Sequence, residues 1–357
     1  MASGNSRAQM NTSRMLIRGV IRDSATQLVV PYASVSIIGT TRGTSADDKG
    51  FFCLTLEPND LPRHLNVSSI GYKTAVFPIG QLPDSTTLIL VQATNMLAEV
   101  FIRGDSMNSR EIVRKAIRNF SKNYIQSPFA CEFMSKLVVI GHGTADTTVA
   151  ECILKGYYPG YQSLGKRKFQ ITEARITGHD PFRGHYVPTH EIHAIDVIAN
   201  PEKFGVFNEA NLGNITFRYD GSTLYERDTV FKISYTISKP AKKVTGYGAP
   251  LLFFKGHLTI ASNLAIVEHS TETDRTTSRI IYRKIDGFYF PYSIVGTRNR
   301  PTNHQHTSVY TIENHLRLLN VSTQNTQPIE NGSNEVDLSK VKYNKHFWEQ
   351  HYPSRNK

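Results

Sequence analysis

Histidine is the side chain with the most chemical potential in this chain: His179, His185, His190 and His193 fall within fifteen residues, beside Asp180 and Glu191. Imidazoles and carboxylates are ordinary zinc donors when they converge from a defined scaffold. His190-Glu-Ile-His193 would place two imidazoles at i and i+3 of a helix. It falls short of HExxH, whose i,i+4 histidines and intervening general base make a zinc peptidase. The expectation is therefore a polar loop or exposed helix that holds no metal. His304 and His306 would share one side of an extended segment and carry the same expectation.

Other reaction centres have no recognisable pattern. There is no GxSxG elbow, no P-loop and no GxGxxG after a strand. Thirty scattered acids single out no carboxylate pair suited to glycoside hydrolysis. No catalytic residue, metal site or cofactor is assigned, and the chain is expected not to be an enzyme. The candidates for ligand contact are Tyr157, Tyr158 and Tyr161, whose rings in a Gly/Pro-rich segment could stack on a sugar face or a peptide.

The elements that would hold these residues follow a two-residue period. In the first hundred residues, apolar positions alternate over 15–21, 33–37, 52–56, 65–70, 74–79, 86–91 and 98–102, which makes seven short strands. Gly, Pro and Asp connectors at 23–26, 39–43, 47–50, 58–62 and 83–85 supply the turns. This spacing predicts an antiparallel β-sandwich. The segment Gln27-Leu-Val-Val30 is apolar where a polar turn would be ordinary, and marks an edge or a partner surface.

A helix follows near 109–122, capped by Ser109. Ile112, Val113, Ala116, Ile117 and Phe120 lie on its packing face, and Arg110, Arg114, Lys115 and Arg118 on the other. Beyond Cys131 the pattern is a long antiparallel β-meander, with Asp220-Gly221 and Asp286-Gly287 as two-residue hairpin signals. Residues 322–339 read as a linker. The aromatic peptide after it, with Phe347, Trp348 and Tyr352, is expected to dock on the second domain.

Composition limits the function classes. Charged residues at 20% and aromatics at 10% describe a globular chain able to fill two cores. The net charge of +11 favours polyanions, yet the basic residues are not interleaved with aromatics as a stacking platform for bases would require. Nucleic acid is therefore not an expected partner. No apolar run reaches the 18 or so residues of a spanning helix. Cys53, Cys131 and Cys152 cannot form a disulfide framework; one bridge, Cys131 to Cys152, remains open if their strands are neighbours, with three buried thiols the alternative.

Several phrases are familiar: Ile17-Arg-Gly-Val-Ile-Arg-Asp-Ser-Ala-Thr26, Pro31-Tyr-Ala-Ser-Val35, Gly39-Thr-Thr-Arg-Gly-Thr44, Asp47-Asp-Lys-Gly-Phe-Phe52, Ser69-Ile-Gly-Tyr-Lys73 and Leu97-Ala-Glu-Val100. In order, they resemble the carboxypeptidase-D regulatory-like domain of exported Bacteroidetes-type proteins. Downstream, Gly156-Tyr-Tyr-Pro-Gly-Tyr161, Gly256-His-Leu-Thr-Ile260 and Gly287-Phe-Tyr-Phe-Pro291 resemble the second half of such proteins, and the hairpin after Gly256 is similar to the half-barrel of lipoprotein-carrier proteins.

The resemblance implies a transthyretin/prealbumin-like sandwich over 14–104, after a polar tail at 1–13. A larger β-meander or half-barrel over 105–321 and the docked peptide within 322–357 would follow. It also implies export to the periplasm or outer-membrane surface, with a signal sequence that Met1–Ser13 does not itself supply. The function so implied is that of a non-enzymatic envelope protein contacting an outer-membrane protein or a glycan. Two alternatives stand beside it: a carrier or sensor of an apolar ligand in the second domain, and a metal-dependent hydrolase using the histidine segment.

Overall fold

The computed structural model describes residues 15–31, 33–40, 43–46, 49–69, 72–92, 109–141, 147–161, 163, 166–178, 186, 188, 207–225, 228–240, 245, 251–301, 309–324, 326–333 and 336–351. The chain is mainly β and divides into two compact units, one of residues 1–94 with 224–227 and one of residues 95–223 with 228–357.

Seven strands build the N-terminal unit: β1 (Met15–Asp23), β2 (Ser34–Ile37), β3 (Gly43–Ser45), β4 (Phe51–Leu56), β5 (His64–Ser68), β6 (Ala75–Pro78) and β7 (Ser85–Leu90). They form a three-stranded sheet, β4-β1-β7, and a four-stranded sheet, β3-β2-β5-β6. The alternation decides which side chains face inward. Ile17, Ile21, Phe52, Leu54, Leu88 and Leu90 from one sheet meet Val35, Ile37, Leu65 and Val67 from the other in a single core.

Two details depart from the expected pattern. First, β7 runs parallel to β1, although an all-antiparallel arrangement was expected. The chain crosses from one sheet to the other between β6 and β7 and arrives running in the direction of β1. Second, β3 is a strand that was not expected, beginning at the last residue of the 39–43 connector; Gly-Thr-Ser has no apolar alternation to reveal it. The expected strand at 98–102 lies outside the described residues.

The C-terminal unit opens with α1 (Ser109–Arg118) and α2 (Phe120–Asn123). Ser109 is already helical rather than a cap ahead of the helix. Ile112, Val113, Ala116 and Phe120 are buried, as the apolar stripe requires. Ten strands follow: β8 (Phe129–Gly141), β9 (Thr147–Tyr158), β10 (Lys168–Thr177), β11 (Thr216–Tyr225), β12 (Asp228–Ile237), β13 (Phe254–Ala261), β14 (Ile266–Thr273), β15 (Thr276–Ile285), β16 (Phe288–Pro301) and β17 (Val309–Ser322). They form one sheet in the order β10-β9-β8-β17-β16-β15-β14-β13-β12-β11, so that β8 pairs with the last strand of the meander and β10 and β11 are its edges.

Asp286 and Gly287 form the β15–β16 hairpin turn with φ of 48° and 91°, the paired positive values that a two-residue turn needs. Asp220-Gly221 is not a turn. It lies inside β11, where Gly221 takes φ 112°, and the strand runs on to Tyr225 before β12 begins at Asp228. A positive-φ glycine can bend a strand as readily as reverse it.

Rings packed over glycines lock the register. Gly156 pairs with Phe169 across strands, and a Cβ there would meet the Phe169 ring at 2.9 Å. Gly256 pairs with Tyr235, whose ring would meet a Cβ at 2.5 Å. In the N-terminal unit Gly19 stands in the same relation to Phe52. Each ring covers a strand position that has no side chain of its own.

The last segment holds the β10 edge. Phe169 and Ser333 exchange two backbone hydrogen bonds of 2.7 and 3.0 Å. In α3 (Lys345–His351), Trp348 is fully buried and its Nε1 donates to the Ala174 carbonyl at 3.2 Å. The Arg175 guanidinium stacks on the Trp348 ring at 4.4 Å and pairs with Glu151 at 2.6 Å. Tyr352 lies outside the described residues.

Candidate functional site

The Asp23–Val30 turn carries the first candidate surface, and a buried carboxylate fixes it. Asp23 Oδ1 accepts from the amides of Ala25 and Thr26, both at 2.8 Å, and Oδ2 accepts from Gln92 Nε2 at 2.6 Å. The Thr26 amide, the Gln92 side chain, the Ala25 amide and the Tyr72 hydroxyl together hold the Asp23 carboxyl well below the usual carboxylate range, against the opposing effect of its burial. Gln27 turns the chain with φ 57°, its carbonyl taken by Arg22 at 2.7 Å. Leu28 and Val29 then face solvent, Leu28 at 69% exposure.

Stability that depends on Asp23 is present above the carboxylate's ordinary pKa and is lost as pH falls below it. Asp23→Asn is expected to lower the melting temperature at pH 7 and to reduce its fall between pH 5 and 3. Thermal scans at the three pH values check both.

This turn borders the outer face of β4-β1-β7. The burial alternation sends Arg18, Val20 and Arg22 outward from the central strand. Val20 lies between Phe51 on β4 and Thr87 on β7, and Arg22 between Val29 and Ile89. Phe51 is 47% exposed. The face is an apolar strip bracketed by two guanidiniums, and none of its outward positions on β1, β4 and β7 holds an acid.

Cys53 is exposed on this face beside Arg18, whereas three buried thiols were the alternative to a bridge. Cys131 and Cys152 are buried and form no disulfide. Cys131 pairs with Gly156 and Cys152 with Ser135, so the two thiols are offset by four residues on adjacent strands. That is roughly 13 Å, well beyond bridging distance. Burial pushes the Cys152 thiol up to about 12. A native protein treated with a maleimide is expected to label once, at Cys53, and three times after unfolding; mass spectrometry counts the adducts.

The tyrosines expected to contact a ligand are placed differently from one another. Tyr157 is half-buried. Tyr158 and Tyr161 are buried, Tyr158 stacking on Phe129 at 4.6 Å and Tyr161 meeting Tyr124 edge-on at 5.8 Å. Phe290 packs on Phe129, Tyr282 on Tyr124, and the Tyr124 hydroxyl donates to the Ile266 carbonyl at 2.7 Å. These rings fill the space between α2 and the buried face of the ten-stranded sheet.

On the same face, His269 is buried beside Tyr235 and Phe207, a position that the sequence reading did not single out. Its Nε2 lies 2.8 Å from the Tyr235 hydroxyl, and its Nδ1 has no hydrogen-bond partner among the described residues. Burial lowers its pKa to about 3, so it is neutral at pH 7. The signal was available, because Val267, His269 and Thr271 share one parity of β14.

No group of three or more His, Cys, Asp or Glu that could hold a metal occurs among the described residues. His179, His185, His190, His193, Asp180, Glu191, His304 and His306 all lie outside them. No helix among the described residues is long and apolar enough to cross a membrane, which says nothing of strands.

Among solved structures, the chain is similar to a putative outer membrane lipoprotein-sorting protein domain from Vibrio parahaemolyticus, at 10% identity, 62% of this chain, 94% of that one and TM-score 0.28. It is also similar to lipoprotein LppX of Mycobacterium tuberculosis, at 9% identity, 58% and 94% coverage and TM-score 0.24. A Pseudomonas aeruginosa MucA/MucB complex matches at 9% identity, 60% and 98% coverage and TM-score 0.19. At such scores these likenesses place no ligand, partner or activity on this chain. No curated protein sequence matches. Residues 17–102 match the CarboxypepD_reg-like domain family, and that N-terminal region is a domain of this kind.

Proposed function

We propose that the chain is a non-enzymatic accessory protein of the bacterial cell envelope that binds a protein or glycan partner at the outer membrane through its N-terminal domain. The observation that carries this reading is the solvent exposure of Phe51 on β4 and of Leu28 and Val29 on the adjoining turn, which the buried Asp23 carboxylate ties down. A rigid surface loses little conformational entropy on association, which favours a recognition role. The resemblance of the domain to modules of exported proteins supports the location. The aromatic filling beneath α2 favours a packed second unit over a carrier of apolar ligands.

Fractionation of the native host tests this. The full chain is expected in the envelope fraction and to retain one partner through a salt wash, with retention lost in Phe51→Ser. A cytosolic chain, or retention that Phe51→Ser leaves unchanged, would overturn the reading.

A further inference from the structure

We propose that the outer face of β4-β1-β7 takes an extended segment of a partner protein that presents a carboxylate, an apolar side chain and a second carboxylate at every other residue. This rests on the docking reading above and adds the chemistry of the partner.

The spacing of β1 supplies the argument. Arg18 and Arg22 leave the same side of the strand four residues apart, with Val20 between them. At about 3.4 Å per residue the two guanidiniums start roughly 13 Å apart. An extended peptide lying along β1 repeats its side-chain direction every second residue, so carboxylates at i and i+4 meet both arginines while residue i+2 lies over Val20 and Phe51. A helix offers carboxylates at i,i+4 only about 6 Å apart, which is too close for this pair.

Charge agrees with the spacing. Arginine recognises carboxylates through a planar fork of donors; Arg22 Nη1 donates to the Gln27 carbonyl at 2.7 Å, which leaves its other donors for a partner, and among the described residues no outward position of β1, β4 or β7 holds an acid. The flanking described acids are Glu57, just past β4, and Asp84, just before β7. Val29 and Ile89, on either side of Arg22, extend the apolar contact beneath the second carboxylate. A chain of net charge +11 also steers acidic partners towards itself.

The test uses the full chain, a fluorescent synthetic peptide with the core Glu-Thr-Leu-Thr-Glu, and two controls: the same peptide with Lys for Glu, and one with both Glu residues adjacent. The Glu-Thr-Leu-Thr-Glu peptide is expected to raise its anisotropy on binding and to slow maleimide labelling of Cys53. Arg18→Glu/Arg22→Glu and Phe51→Ser are each expected to weaken it about tenfold, and Arg18→Glu alone, which leaves the Arg22 hydrogen bond to Gln27 in place, to weaken it while keeping the melting temperature unchanged. Equal binding of all three peptides, no binding, or unchanged Cys53 labelling would overturn the proposal. So would phosphatidylglycerol vesicles that bind through the two arginines while the peptide does not. If the peptide fails but the host partner is still retained through Phe51, the docking reading stands and only this partner chemistry falls.

Discussion

Trp348→Ala is expected to cost the protein about 3–5 kcal/mol, as loss of a fully buried indole does. Three contacts go together: the ring's packing, the Nε1 hydrogen bond to Ala174 and the stack that seats Arg175 against Glu151. The consequence reaches beyond stability. Ser333 pairs with Phe169 on β10, an edge strand of the ten-stranded sheet, and the segment around it shields backbone groups that would otherwise pair with another molecule. Urea unfolding at two protein concentrations measures both effects: a lowered midpoint, and light scattering that rises with concentration. A loss below about 1 kcal/mol would mean that the ring is not packed as described.

Acid is expected to weaken the C-terminal unit through His269. In the unfolded chain this imidazole binds a proton near its ordinary pKa of 6.5; in the folded protein, burial lowers that value to about 3. Between those values the unfolded state holds a proton that the folded state excludes, so stability is intact above 6.5 and falls as pH drops towards 3. At about 1.4 kcal/mol per pH unit, the loss from pH 6.5 to 4.5 is on the order of 2–3 kcal/mol. His269→Gln keeps a polar group beside Tyr235 without the titration, and should flatten the curve over that interval. Asp23 acts in the same direction but below the ordinary carboxylate pKa, so the two are separable by pH. Equal slopes for wild type and His269→Gln would contradict the account.

Strands were the most legible part of the sequence, because burial on one face imposes a period of two that local composition shows directly. The residues from Phe129 to Gly141 alternate in burial, and the strand itself was legible, but Leu137-Val-Val-Ile140 is apolar on both faces and Ser135 is polar and buried, so the sequence shows the inward face only in part. Long-range pairing was not legible. That β7 runs parallel to β1, and that β8 pairs with β17, depends on chain crossings that no local pattern encodes. Asp220-Gly221 misled for a related reason: the dipeptide permits a turn, but the surrounding sheet uses the glycine within a strand.

The candidate site was half visible. Gln27-Leu-Val-Val30 is out of place as a turn, and its structure explains why: Asp23 satisfies the polar groups of the turn from within, leaving apolar side chains to face water. The part played by Arg18 and Arg22 was hidden, because only the strand's parity and its neighbours Phe51 and Ile89 show that they bracket one strip. Tyr158 and Tyr161 looked exposed from their Gly/Pro-rich surroundings. Gly160, with φ 111° and its backbone against Gln126, instead returns the chain so that Tyr161 packs beneath α2.

We propose that the N-terminal domain works by contact across one sheet face. A photo-crosslinker attached at Cys53 of the full chain, activated in living host cells, tests it most directly. One adduct is expected, mapping to a partner segment with alternating carboxylate, apolar and carboxylate residues, and absent from Arg18→Glu/Arg22→Glu. An adduct whose yield and site are indifferent to those two arginines would contradict it.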